Sequence, residues 1–117
     1  MALLSPIAPG SQALSREAAQ ARLVGLADWE LQEDTGLLTL HKSYTTRHFL
    51  EAMELAGRIT TLAEAEDHHP HLGISWGSLT VGWTTHKLHG LHENDFLMAA
   101  ATDAVITEYF NSHHRDS

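Results

Sequence analysis

Cysteine is absent from the 117 residues of the chain, which excludes disulfide bonds and thiolate zinc sites. The absence fits a reducing compartment, and we expect a cytoplasmic protein. Basic residues are also few, since seven Lys and Arg stand against fifteen Asp and Glu and the formal net charge is −8. Because such a surface repels a phosphate backbone, direct binding to nucleic acid is not expected.

Long hydrophobic runs are missing as well. No apolar stretch approaches the roughly 18 residues that span a bilayer, so no membrane association is expected. Residues 1–13 lack a basic region and contain Pro6 and Pro9, which indicates a flexible N-terminus and not a signal peptide. The composition, 43% apolar and 19% charged, is typical of one soluble globular domain. What stands out is histidine, with ten copies of the side chain that titrates near neutrality.

Hydrophobic periodicity predicts the first half of the fold. Apolar residues at helical spacing, with Ser15 as a plausible N-cap, predict a helix over residues 16–27. Alternation then begins at Trp29, breaks at Asp34-Thr35-Gly36 and resumes from Leu38, which predicts a β-hairpin.

The second half repeats this order. The i, i+3, i+4 pattern over residues 46–65 is the strongest helix signal in the chain, and Pro70 follows it. Alternation over residues 72–83 with Gly77-Ser78 in the middle predicts a second hairpin. A last helix is predicted to end at about residue 111.

The predicted order is therefore α-β-β-α-β-β-α. We expect an α+β domain over residues 14–111, with a four-stranded antiparallel sheet, helices packed on one face, and a polar tail at residues 112–117. Two sheet edges remain to be protected, so pairing with another copy of the chain is expected.

Three histidines fall within four positions at His68, His69 and His71, and three more recur at His86, His89 and His92. Zinc accepts imidazole ligands, but adjacent residues project in different directions and no HExxH spacing is present, so a metal is not expected. An acid–base site needs one imidazole to give a proton and another to take one. His68 and His69, with His86 closing the pocket, satisfy that need.

Each of these residues also has a plainer interpretation. Glu64 is equally compatible with a solvated helix face, and His71 with a loop. Asp95, one turn into the last helix, could orient an imidazole or be held by the helix dipole. His71, His89, His113 and His114 are linked to a site by composition alone, so their replacement by Ala is expected to be nearly silent.

A family resemblance favours the acid–base interpretation. The chain carries, in order, Glu64-x-x-x-His68-His69-Pro70, Trp76, Thr85-His86 and Gly90-Leu91-x-x-x-Asp95. This series resembles the signature of the pterin-4a-carbinolamine dehydratases, at each spacing. Residues 26–31 and Phe49-x-x-Ala52-Met53 extend the likeness, so that it covers about residues 14–110.

The resemblance implies the α-β-β-α-β-β-α fold and the dehydration of a 4a-hydroxytetrahydropterin to the quinonoid dihydropterin. It implies His69 and His86 as the acid and base pair, in either assignment, and His68 as a pterin contact or second proton carrier. The remaining residues that it implies at the site, as orienting groups or pocket walls, are Glu64, Pro70, Trp76, Thr85 and Asp95. No metal and no redox cofactor is required, because no electron moves.

The chain departs from the family pattern at three places. His92 replaces the Thr that caps the last helix, and His is the poorer cap, so a looser site entrance is expected. His89-Gly90 replaces a doubled Gly. Lys42-x-Tyr44-x-Thr46 replaces Arg-x-Phe-x-Phe in the second strand.

The resemblance also implies partners and alternatives. A homodimer or homotetramer is implied, and an aromatic amino acid hydroxylase would supply the substrate in tetrahydropterin recycling. One alternative is a protein-binding module, because the family includes a dimerization cofactor of a homeodomain transcription factor. Another is a pterin step related to the molybdenum cofactor on the same scaffold. The intact His68-His69-Pro70 and His86 favour the enzyme.

Overall fold

The computed structural model describes residues 3–113, apart from the side chain of Asp34. The helices are α1 (Arg16–Arg22), α2 (Phe49–Glu66) and α3 (Glu93–His113), and the strands are β1 (Glu30–Asp34), β2 (Leu37–Thr45), β3 (His71–Ser75) and β4 (Ser78–Trp83). A 3-10 turn at His86–Leu88 joins β4 to α3. The predicted order of elements is confirmed. Within residues 3–113, no helix has the length and apolar character needed to cross a membrane.

The four strands form one antiparallel sheet in the order β1-β2-β4-β3. Helices α2 and α3 pack on one face, as predicted. Strand alternation sends Leu40 and Tyr44 of β2, and Leu79, Val81 and Trp83 of β4, into the buried core beneath these helices. The residues between them project from the other side, which is called the open face below.

The two hairpin turns differ from each other. Thr35 and Gly36 both have positive φ, 51° and 85°, as in the type I′ turn of a tight hairpin. In the second hairpin Ser75 pairs with Ser78, so the turn consists of Trp76 and Gly77 and not of the predicted Gly77-Ser78. The core pair of Ile74 with Leu79 fixes this register.

Histidine caps both long helices. The N–H of Glu51 donates to His48 Nδ1 at 3.1 Å, and His92 Nδ1 accepts the backbone N–H two residues on at 3.0 Å. Glu51 accepts the backbone N–H of Arg47, and Asp95 accepts that of His92, each at 2.9 Å. Each helix therefore starts with a reciprocal arrangement like a capping box. The ring nitrogen of His92 thus takes the capping position that the Thr hydroxyl has in the family pattern.

Several boundaries differ from the prediction. Helix α1 ends at Arg22 and not near residue 27, and Gly25 follows with a φ of 89° that a right-handed helix does not adopt. Helix α2 begins at Phe49, and α3 continues to His113, which belonged to the predicted tail. Residues 114–117 of that tail lie outside the described residues.

The N-terminal segment contacts the domain. The N–H of Leu3 donates to Glu66, and Ser5 exchanges two hydrogen bonds with the Asn94 side chain at 3.0 and 2.8 Å. The terminus that was expected to be flexible is therefore bonded to the ends of α2 and α3 within its described part.

Asp103 on α3 ties the helix to the sheet. Its carboxylate accepts hydrogen bonds from Trp29 Nε1 at 3.0 Å, Lys42 Nζ at 2.8 Å and Tyr44 Oη at 2.6 Å. The Lys42 ammonium also lies 4.9 Å from the centre of the Tyr44 ring. Burial, and then the hydrogen bond to Asp103, raise the pKa of Tyr44. One carboxylate thus satisfies three donors from β2 and from the segment before β1.

We expect Asp103→Ala to lower the free energy of unfolding by about 2–4 kcal/mol, because three partly buried donors lose their acceptor. Urea unfolding followed by tryptophan fluorescence measures this change. Glu108→Ala, at an exposed position on the same helix, removes the same charge and should change stability by less than about 0.5 kcal/mol. Equal effects of the two substitutions would contradict this account of Asp103.

Candidate active site

A cavity of about 570 Å³ lies on the open face, where β4 ends. Four histidines line it: His41, His69, His71 and His86. This cavity is called the histidine cavity below. It is also lined by Pro70 and by three neutral polar side chains, Gln32, Thr39 and Thr84. Two of the residues predicted to transfer protons, His69 and His86, therefore line the same concave space.

His69 is held by a carboxylate. Its Nε2 lies 2.6 Å from Glu64 Oε2, and both side chains are more than half exposed. Glu64 belongs to the last turn of α2, and Asp67 then takes the left-handed conformation, with φ of 53°, that turns the chain toward His69. Because a carboxylate accepts only, the contact places a proton on Nε2 and leaves Nδ1 for another partner.

His68 is held by a different carboxylate. Its Nε2 lies 2.7 Å from Oδ1 of Asp95, whose side chain is fully buried. The second oxygen of Asp95 accepts the hydroxyl of Thr85 at 2.8 Å and the backbone N–H of His92 at 2.9 Å. The ring of His68 also lies against that of Trp83, with centroids 5.4 Å apart. His68 is consequently the most firmly positioned of the three histidines predicted at the site, which are His68, His69 and His86.

The three histidines do not share one cavity. His68 and Thr85 line a second cavity of about 450 Å³, which is closed on one side by residues 4–7 of the N-terminal segment. His86 lies in the 3-10 turn after β4, is exposed, and its ring makes no hydrogen bond within residues 3–113. The structure thus brings His69 and His86 together and turns His68 toward a neighbouring space.

Trp76 lies elsewhere. It occupies the β3–β4 turn and is 71% exposed. His71 and Trp76 are at opposite ends of β3, about 17 Å apart for an extended strand. Within the described chain, Trp76 does not wall the histidine cavity as the resemblance implied, because the turn carries its side chain away from the site.

Two histidines of the cavity were not expected there. His71 was interpreted as a loop residue outside the site, but it begins β3 and lines the cavity. His41 of β2 was given no role. Alternation along β2 could have placed His41 opposite the buried Leu40, on the open face. The pairing of β2 with β4 brings His41 to the cavity, and nothing in the sequence predicts that pairing.

Clusters of histidine and carboxylate raise the question of a metal. In the part of the chain that the structure describes, no group of three or more His, Asp or Glu side chains has the geometry to hold an ion. The contacts of His68 and His69 are imidazole–carboxylate pairs, an arrangement that fixes a tautomer and stabilises a positive charge on the ring.

An antiparallel sheet with helices on one face and a histidine-lined cavity on the other defines an α+β domain with a candidate acid–base site. A family model described as pterin 4 alpha carbinolamine dehydratase matches residues 12–105. The chain therefore belongs to the pterin-4a-carbinolamine dehydratase family.

Curated relatives agree with this assignment. A protein of Syntrophotalea carbinolica named "Putative pterin-4-alpha-carbinolamine dehydratase" is 46% identical over 81 residues, covering 69% of this chain and 72% of its own. One with the same name from Methylococcus capsulatus is 40% identical over 104 residues, covering 89% and 90%. A crystal structure of a transcriptional coactivator/pterin dehydratase from Brucella melitensis superimposes with a TM-score of 0.70 at 26% identity, covering 80% of this chain and 98% of that one.

The position of His41 has a consequence for acid stability. Burial first, and then the positive charge that His71 can carry, lower the pKa of His41 from its ordinary value of 6.5. The unfolded chain therefore binds a proton at this residue more readily than the folded chain does, and stability falls as the pH drops below about 6.5. We expect His41→Gln to lose less stability than the wild type between pH 7.5 and pH 5.

Urea unfolding at the two pH values measures the difference. His89→Asn is the matched control, because His89 is exposed with a left-handed φ of 54°, a conformation that Asn tolerates. The control should lose as much stability on acidification as the wild type. The same acid-induced loss in His41→Gln would show that His41 does not resist protonation in the folded state.

Proposed function

We propose that the chain dehydrates a 4a-hydroxytetrahydropterin to the quinonoid dihydropterin by histidine acid–base catalysis in the histidine cavity. Membership of the family supplies the reaction class. The observation that supports the mechanism is that His69 and His86, at opposite ends of the second hairpin, line the same space.

The chemistry of the step suits these groups. The C4a–O bond breaks and the hydroxyl leaves as water, so its oxygen needs a proton. N5 loses its proton as the new C=N bond forms between C4a and N5. Imidazoles titrate near neutrality and can carry out both transfers, each of which typically contributes about 10²–10⁴-fold in rate. The balance needs no oxidant, reductant or metal.

The supporting contacts divide the roles. Glu64 stabilises the positive charge that His69 would carry after taking a proton, and His86 faces the cavity without a carboxylate partner in residues 3–113. His68, with its Nε2 bonded to Asp95, keeps Nδ1 for a contact or a second proton transfer. Pro70 would form part of the cavity wall. Thr85 would hold the Asp95 carboxylate in place through its hydrogen bond. Tetrahydropterin recycling downstream of an aromatic amino acid hydroxylase is the setting that this reaction suggests.

We expect His69→Ala and His86→Ala each to lower kcat by about 10²-fold or more, with a smaller effect on substrate binding. The double variant should lose far less than the product of the two single losses, because the residues act as a unit. The assay follows chemically generated 4a-hydroxytetrahydropterin in the presence of a chelator.

His89→Asn, outside the cavity, should keep normal turnover. Normal turnover of His86→Ala would remove His86 from the mechanism. A larger loss of kcat in His68→Ala than in His69→Ala would transfer the acid–base role to the pair formed by His68 and Asp95.

An exposed apolar patch supports self-association. The patch consists of Phe49, Leu50, Met53 and Trp76, whose exposed fractions are 50%, 62%, 46% and 71%. Thr46, three residues before α2, donates its backbone N–H to the Gly77 carbonyl at 2.9 Å and its hydroxyl to the Trp76 carbonyl at 3.5 Å. These two bonds tether the β3–β4 turn beside the start of the helix. Patches of this kind mark interaction surfaces, and we propose a second copy of the chain as the partner. The acidic character and the patch are also compatible with a different protein partner.

We expect light scattering at tens of micromolar to give a mass above the 12.9 kDa of the single chain. Met53→Asp should reduce the mass, because a charge in the patch must be desolvated on association. Val24→Asp, at an 86% exposed Val outside the patch, should leave the mass unchanged. A wild-type mass of one chain would overturn self-association and leave the patch for another protein.

A further inference from the structure

One row of residues crosses the open face beside the candidate active site. His41 of β2 pairs with Gly82 of β4, and Gly82 pairs in turn with His71 of β3. Paired residues of neighbouring strands project to the same face, so the two histidines flank a residue that has no side chain. All three line the histidine cavity.

Gly82 makes room for the His41 ring. A Cβ atom at position 82 would lie 2.7 Å from Cε1 of His41, 3.0 Å from Nε2 and 3.2 Å from Nδ1. The edge of the ring that carries both nitrogens therefore occupies the space that a side chain would fill. Any other residue at this position would displace the imidazole, so the glycine positions His41 across β4.

The groups around this row are mostly neutral donors and acceptors. The lowered pKa of His41 keeps its imidazole neutral at physiological pH, with one donor and one acceptor nitrogen. Thr39 and Thr84 add hydroxyls, and Gln32 adds an amide. The one carboxylate of the wall, Glu33, is paired with Arg16. Hydroxyl groups of a ligand suit such a wall, whereas an anion finds no cation lining it in the described chain.

The wall lies beside the reacting atoms. His71 follows His69 by two residues, and both line the cavity. In a pterin, C6 is bonded to N5, the atom that loses the proton, so the C6 substituent leaves the ring next to the acid–base pair. We propose that His41, positioned by Gly82 and accompanied by His71, binds a hydroxylated side chain at C6 of the pterin. This inference rests on the proposed function.

The test compares two substrates that differ only at C6, one with a dihydroxypropyl group and one with a methyl group. His41→Phe keeps a flat ring over Gly82 and removes both nitrogens. Its kcat/KM should fall about 10-fold for the dihydroxypropyl substrate, as expected for lost hydrogen bonds, and by less than about 2-fold for the methyl substrate. Equal changes for both substrates would overturn the proposal.

Gly82→Ala provides a second route to the same result. Its methyl group displaces the His41 ring, so the loss should again be selective for the dihydroxypropyl substrate, and adding it to His41→Phe should bring little further loss. Gly73→Ala is the matched control, because a Cβ there meets Thr80 Cβ at an ordinary 3.7 Å. Thermal unfolding verifies that each variant folds.

Calorimetric binding of stable dihydropterins with the same two C6 groups separates this proposal from the dehydratase function. If the wild type turns over neither substrate, the proposed function fails. A wild-type preference for the dihydroxypropyl ligand that His41→Phe removes would still support the hydroxyl site, and the absence of any preference would overturn it.

Discussion

The buried carboxylate of Asp95 is the contact on which the geometry around the site depends. It accepts hydrogen bonds from His68 after α2, from Thr85 after β4 and from the backbone N–H of His92 before α3. Burial of a carboxylate is costly unless donors surround it, and here three donors and the first turn of α3 do so. Because the donors come from three separate elements, satisfying one carboxylate fixes the relative positions of the segments that carry His68 and His86.

Strand β4 connects this network to the core. Val81 and Trp83 project toward the helices and are fully buried, while Gly82 and Thr84 line the histidine cavity. The Trp83 indole donates to Thr102 on α3 at 3.1 Å and lies against His68. The floor of the cavity is therefore the reverse side of a packed strand. Because the core side of β4 is closely packed, the strand can move little, and the cavity floor is rigid for the same reason.

Periodicity predicted the number, type and order of the elements because the strands are half-buried and α2 has a clear apolar face. Motif spacing also selected His68, His69, His86 and Asp95, which the structure places around the end of β4. Other features depend on three-dimensional pairing. The register that brings His41 over Gly82 has no local signal, and neither does the division of His68 and His69 between two cavities. Trp76 was placed at the site by resemblance alone, whereas a two-residue turn carries it to the far end of the sheet.

Three of the cations in residues 3–113 are paired with carboxylates. Lys42 bonds Asp103, Arg47 bonds Glu51, and Arg16 bonds Glu33 at the cavity rim. The last pair offsets the one carboxylate of the cavity wall, and no Lys or Arg lines that cavity within residues 3–113. Imidazoles are then the only groups lining it that both give and take protons near neutral pH. An acidic protein can thus present a nearly neutral cavity to an uncharged heterocycle, with the proton chemistry confined to its histidines.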